Sequence, residues 1–73
     1  MVLNNLFKHD YTPYEERIIR IMRMYGKPMT TLSISHYSGI SYNAITRNLK
    51  NLKANGKVKC TIESNRTYWK LSE

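Results

Sequence analysis

Seventy-three residues allow one domain with one small core, and leave no room for a second core or a cofactor cleft. Twelve Lys and Arg against five Asp and Glu give a formal charge of +7, which favours a polyanionic partner. There is no apolar run near the roughly 20 residues that span a bilayer and no signal-peptide pattern, so a soluble, cytoplasmic chain with no membrane partner is expected. Cys60 is the single cysteine and is expected to serve as a small core hydrophobe, not a disulfide partner. His9, His36, Cys60 and five scattered carboxylates form no CxxC, HExxH, P-loop or glycine-rich pattern. An enzyme, a cofactor, a metal and a small-molecule ligand are therefore not expected.

The chain opens with residues 1–11, in which Val2, Leu3, Leu6 and Phe7 recur at helical spacing. An extra helix this short cannot stand alone, and it is expected to dock on its own domain or on a second copy, as a dimer contact. The domain proper is expected over residues 12–73. Thr12-Pro13-Tyr14-Glu15 is a capping-box start with proline at the first helical position, and Gly26 is a stop. Between them Tyr14, Ile18, Ile21, Met22 and Tyr25 form an apolar stripe, which leaves Ile19 and Met24 off it.

Pro28 predicts a connector or short extended strand over Lys27–Thr30. A second helix, capped by Thr30 or Thr31, runs through Leu32, Ile34, His36 and Tyr37, with His36 a polar surface or satisfied core residue. Its serines and β-branched residues give it poor intrinsic propensity, so packing must hold it. Gly39 then breaks the chain and Ser41 restarts it, which is helix-turn-helix punctuation. The third helix, Tyr42–Asn55, sets Ile45, Asn48, Leu49 and Leu52 on one face, commits Ile45, Leu49 and Leu52 to the core, and ends at Gly56. Alternation predicts a strand with Val58, Cys60 and Ile62 inward. A second strand sets Thr67, Trp69 and Leu71 inward, and Glu63-Ser64-Asn65-Arg66 forms the hairpin loop.

The face of the third helix opposite its core stripe carries Asn43, Thr46, Arg47 and Lys50, with Tyr42 at its edge. Such a helix fits the major groove of B-DNA, where Arg pairs with guanine and Asn with adenine, and Lys suits phosphate. Arg66, as the tip of the hairpin, and Lys59, with Lys57 and Lys70 nearby, are expected on the backbone or in the minor groove. The helix starts near Thr31 and Ser41 offer phosphate anchors.

The order helix, short extended segment, helix, turn, helix, hairpin resembles the winged helix-turn-helix family of small transcription regulators of bacteria, archaea and their viruses. The resemblance covers residues 12–72 and is strongest over Ile40–Val58 and Tyr68-Trp69-Lys70-Leu71-Ser72. It implies an α+β, mostly helical fold: a three-helix core with a C-terminal β-hairpin wing. It also implies that residues 41–55 read the major groove and that the wing, 57–72, touches the backbone or minor groove. Ser41, Tyr42, Asn43, Thr46, Arg47, Lys50, Lys59 and Arg66 are then the expected DNA-binding residues.

Trp69-Lys70-Leu71 and Thr46-Arg47 are also similar to the Z-DNA-binding branch of the fold. That branch has an Asn-Arg pair followed three residues later by Tyr, and a proline pair in the wing. Thr46, Lys50 and a proline-free wing stand at those places here, so a general binder of double-stranded DNA is the expectation. Small size and an apolar N-terminus suggest a homodimer on two half-sites about one helical turn apart. The alternative is a protein-interaction adaptor that uses the same fold, with Val2, Leu3, Leu6, Phe7, Ile19 and Met24 as its contact.

Overall fold

Three helices are followed by a hairpin in the computed structural model, which describes residues 11–72. The elements are α1 (Pro13–Tyr25), β1 (Met29–Thr30), α2 (Thr31–Ser38), α3 (Tyr42–Ala54), β2 (Val58–Glu63) and β3 (Arg66–Leu71). The apolar segment read as a dimer contact lies outside the described residues, except for Tyr11. The three-helix core with a β-hairpin wing is the fold expected from the sequence.

α1 begins as its residues dictate. Thr12 Oγ1 accepts from Glu15 N at 3.1 Å and Glu15 Oε1 accepts from Thr12 N at 3.0 Å, closing the capping box, and Gly26 ends the helix in the left-handed region. The buried face differs from the predicted stripe. Ile18, Ile19, Ile21 and Met22 are buried together with Glu15, whereas Tyr14 and Tyr25 are exposed. Ile19 therefore belongs to the core, and only Met24, 70% exposed, is left over on α1. The rings of Tyr25 and Tyr37 instead meet each other at the surface, 4.7 Å apart.

The connector pairs as a strand. β1 lies antiparallel to β3, with Met29 opposite Trp69 and Thr30 opposite Tyr68, so the sheet has three strands in the order β1-β3-β2. Val58, Cys60, Trp69, Leu71 and Met29 line the sheet face that packs on the helices, against Ile18, Ile34, Ile45, Leu49 and Leu52. Trp69 Nε1 donates to Thr31 Oγ1 at 3.0 Å, so the base of the wing is tied to the first turn of α2. Cys60 is half-buried against this core, as a small hydrophobe would be.

Two hairpin expectations are corrected. Ile62 is 73% exposed, because the hairpin outruns the helices and its distal inward face has nothing to pack on. The turn is only Ser64-Asn65, both with positive φ of 52° and 66°, and Glu63 pairs with Arg66 inside the ladder. A two-residue turn with both central residues left-handed matches the twist of the flanking strands. Arg66 is therefore the first residue of β3 and not the tip.

Candidate nucleic-acid interface

The site grows from the turn between α2 and α3. Gly39 adopts φ 72°, a left-handed conformation that costs glycine little and other residues more. Three serines then lock what glycine allows. Ser38 Oγ donates to Ser35 O at 3.3 Å and accepts from Ile40 N at 3.1 Å, while Ser35 Oγ donates to Ile40 O at 2.6 Å. Ser41 Oγ accepts from Ala44 N at 3.2 Å and starts α3. The serines that weaken α2 as a helix are thus the groups that set the angle at which α3 leaves it.

A second polar link fixes α3 from the other side. Asn48 is 8% exposed, its Nδ2 donates to Ala44 O at 2.7 Å, and its Oδ1 accepts from Thr12 Oγ1 at 3.5 Å. The cap of α1 therefore reaches the middle of α3. Sequence periodicity placed Asn48 on the core face correctly, but its partner is 36 residues away, which spacing does not reveal.

With Ala44, Ile45, Asn48, Leu49 and Leu52 buried, α3 presents Tyr42, Asn43, Arg47 and Lys50 to solvent on one side, immediately after the Ser41 cap. These five residues of the expected site are brought together. Asn51, one turn beyond Arg47, extends the same face. With Thr12, Pro13, Tyr14, Arg47 and Asn48 it lines an open cleft of about 430 Å³. Neither Asn51 nor Tyr14 was legible as a site residue. Asn51 could have been found from its i+4 spacing to Arg47, whereas Tyr14 falls on what reads as the core stripe.

Three expected residues stand differently. Thr46 is half-buried and its Oγ1 is buried without a hydrogen-bond partner, so its hydroxyl does not join the exposed face of α3. Lys59 and Arg66 are exposed but share the sheet face opposite to the one that packs on the helices, because the register pairs Lys59 with Lys70 and Glu63 with Arg66. Arg66 stands beside the turn, at the free end of the wing.

Charge is one-sided along the chain. From residue 17 to residue 62 there are nine basic residues (Arg17, Arg20, Arg23, Lys27, Arg47, Lys50, Lys53, Lys57, Lys59) and no acidic one. The described carboxylates are Glu15 and Glu16 in the first turn of α1, where they complement its dipole, and Glu63 beside the wing turn. Among the described residues no group of His, Cys, Asp or Glu is arranged to hold a metal ion, and no helix is long and apolar enough to cross a membrane.

Solved structures with this architecture are winged-helix domains. The apo Zalpha domain of zebrafish PKZ is 32% identical, with a TM-score of 0.76 over 81% of this chain and 91% of that one. The Zalpha domain of Carassius auratus PKZ, solved in complex with Z-DNA, is 28% identical, with a TM-score of 0.70 over 80% of this chain and 90% of that one. The homodimeric winged helix-turn-helix DNA-binding domain Mb0332 of Mycobacterium bovis, a possible ArsR-family transcriptional regulator, is 20% identical with a TM-score of 0.73. It is covered over 54% of its length by 82% of this chain, so the chain spans about half of that fragment. No family model matches the chain. No curated protein matches it either. The chain belongs to the winged helix-turn-helix family of DNA-binding domains. The Z-DNA-binding branch, set aside above on the residues at 46 and 50, is among the structures it is similar to.

Proposed function

We propose that the protein is a sequence-specific binder of double-stranded DNA that regulates transcription as a homodimer. In this reading α3 lies in the major groove and the free end of the wing touches the backbone or minor groove. One observation carries it: α3 is pinned by the serine-locked turn and by Asn48, and the face so fixed is made of Tyr42, Asn43, Arg47, Lys50 and Asn51. Arg47 can bond two acceptors of guanine and Asn43 can bond adenine bidentately, each good pair giving about 1–3 kcal/mol of discrimination. Lys50 and Arg66 suit phosphate oxygens. Thr46 would contribute its methyl group and not its hydroxyl, unless its side chain rotates on binding.

The 32% identity to a Zalpha domain favours a second reading, in which the same face binds left-handed DNA. Fluorescence anisotropy with a random-sequence duplex, the protein's own upstream DNA and an alternating CG duplex, each titrated with salt, separates the two. Steep salt dependence with preference for the upstream duplex supports the regulator. Preference for the CG duplex, with inversion of its circular dichroism on adding protein, supports the second reading. No binding at low salt to any of the three overturns both and favours a protein-interaction adaptor.

A further inference from the structure

Of the basic residues, α3 and the wing end use only part. Lys59 and Lys70 are cross-strand partners, both exposed, on the sheet face that no helix covers. Like charges directly opposite each other in a ladder are destabilising in the free protein, and an anion between them removes that cost. Around them on the same face the register sets exposed Thr61 and half-buried Tyr68, whose hydroxyls can hydrogen-bond, while the Thr30 hydroxyl is committed to the cap of α2. At the end of the sheet Lys70 also borders a concavity of about 390 Å³ together with Lys27, Gly26, Pro28 and Leu71. No carboxylate lines this concavity; Glu15 and Glu16 lie at the start of α1, and Glu63 shares the outer face of the lysine pair but stands at its far end, opposite Arg66.

We infer that Lys59, Lys70 and Lys27 form a second polyanion surface, which takes the sugar-phosphate backbone of a second DNA duplex while α3 holds the first. The inference rests on the duplex-binding reading above. It commits to DNA because the strip is cationic and hydrogen-bonding, and its aromatic side chain, Tyr68, is half-buried and so offers little apolar surface to a lipid or a protein. Contacts of this kind carry no sequence information, so the second duplex is held by charge alone and is released by salt. One protein molecule can then bridge two DNA segments without dimerising.

The test is capture of a fluorescent random-sequence duplex by an immobilised duplex in the presence of the full chain, alongside anisotropy on a single duplex. The wild-type protein is expected to capture the second duplex at low salt. Lys59→Glu with Lys70→Glu should lower capture by about tenfold or more. The reversal keeps like charges opposite and keeps the edge strand charged, so a role in solubility or edge protection is unaffected by it. Lys27→Glu lies outside the strands and away from α3, and it should lower capture severalfold while single-duplex affinity changes less than about twofold, which tests the surface without disturbing the ladder. Unchanged capture in both variants overturns the proposal and assigns bridging to a dimer. Equal loss of capture and single-duplex binding also overturns it, because the lysines then belong to one common interface. Failure of the duplex-binding reading is separately visible: Arg47→Glu with Lys50→Glu would leave single-duplex binding intact.

Discussion

α3 and the wing, the two elements proposed to meet DNA, are held in opposite ways. α3 is fixed along its length: by Ser41 at its start, by Asn48 at its middle, and by the apolar row Ile45, Leu49 and Leu52 beneath it. The wing is fixed only at its base, through Trp69, Val58 and the bond from Trp69 Nε1 to Thr31. Beyond Cys60 and Trp69 its residues are exposed on both faces except for half-buried Tyr68. The lesson is a division of labour. Base readout needs side chains placed to within a fraction of an ångström, which a braced helix supplies, whereas backbone contact tolerates a hairpin that adapts.

The sharpest way to break this contrast is to reverse the charge on the braced element. Arg47→Glu with Lys50→Glu is expected to weaken duplex binding by more than about 100-fold, as two charged contacts of about 1–3 kcal/mol each are lost, with the melting temperature little changed because both side chains are exposed. Anisotropy and thermal melting check the two halves of that statement. Next in size, Asn48→Ala removes the brace itself. It should cost about 1–3 kcal/mol of stability, read by urea denaturation, since Ala44 O and Thr12 lose a buried partner.

At the base of the wing, Trp69→Phe keeps an aromatic ring in the core but leaves Thr31 Oγ1 without its donor. A loss of about 0.5–1.5 kcal/mol is expected by the same denaturation experiment. The smallest stability effect belongs to the free end. Arg66→Ala should leave stability within about 0.5 kcal/mol and reduce the slope of log affinity against log salt by about 1. A loss of stability there comparable to that of Asn48→Ala would mean that the wing is braced along its length and would abolish the contrast.

Much of the fold was legible because its signals are local. The Thr12 to Glu15 box, Gly26, Gly39, Ser41 and Gly56 act within one turn of chain, and each stands where the sequence placed it. Asn43, Arg47 and Lys50 were legible as a surface face for the same reason: once Ile45, Leu49 and Leu52 are buried, helical spacing leaves them outside. Tyr14, Tyr25 and Ile19 were misread because helical spacing ranks positions around α1 without knowing where α2, α3 and the sheet will press on it. Ile62 and Thr67 fit the alternation, but alternation does not tell where the helices end beneath the hairpin.

By itself, then, the sequence determined the kind and limits of the three helices between residues 12 and 55, the existence of the hairpin and the chemistry of the α3 face, since capping, helical period and strand alternation are short-range properties of the chain. Only the tertiary structure decided the pairing of β1 with β3, the reach of Thr12 to Asn48 and of Trp69 to Thr31, and the two-residue turn that brings Arg66 into the ladder. It also decided that Lys59 and Lys70 stand opposite each other on the uncovered side of the sheet. Each of these joins residues distant along the chain or depends on register, and it is long-range packing that selects among the pairings local rules leave open.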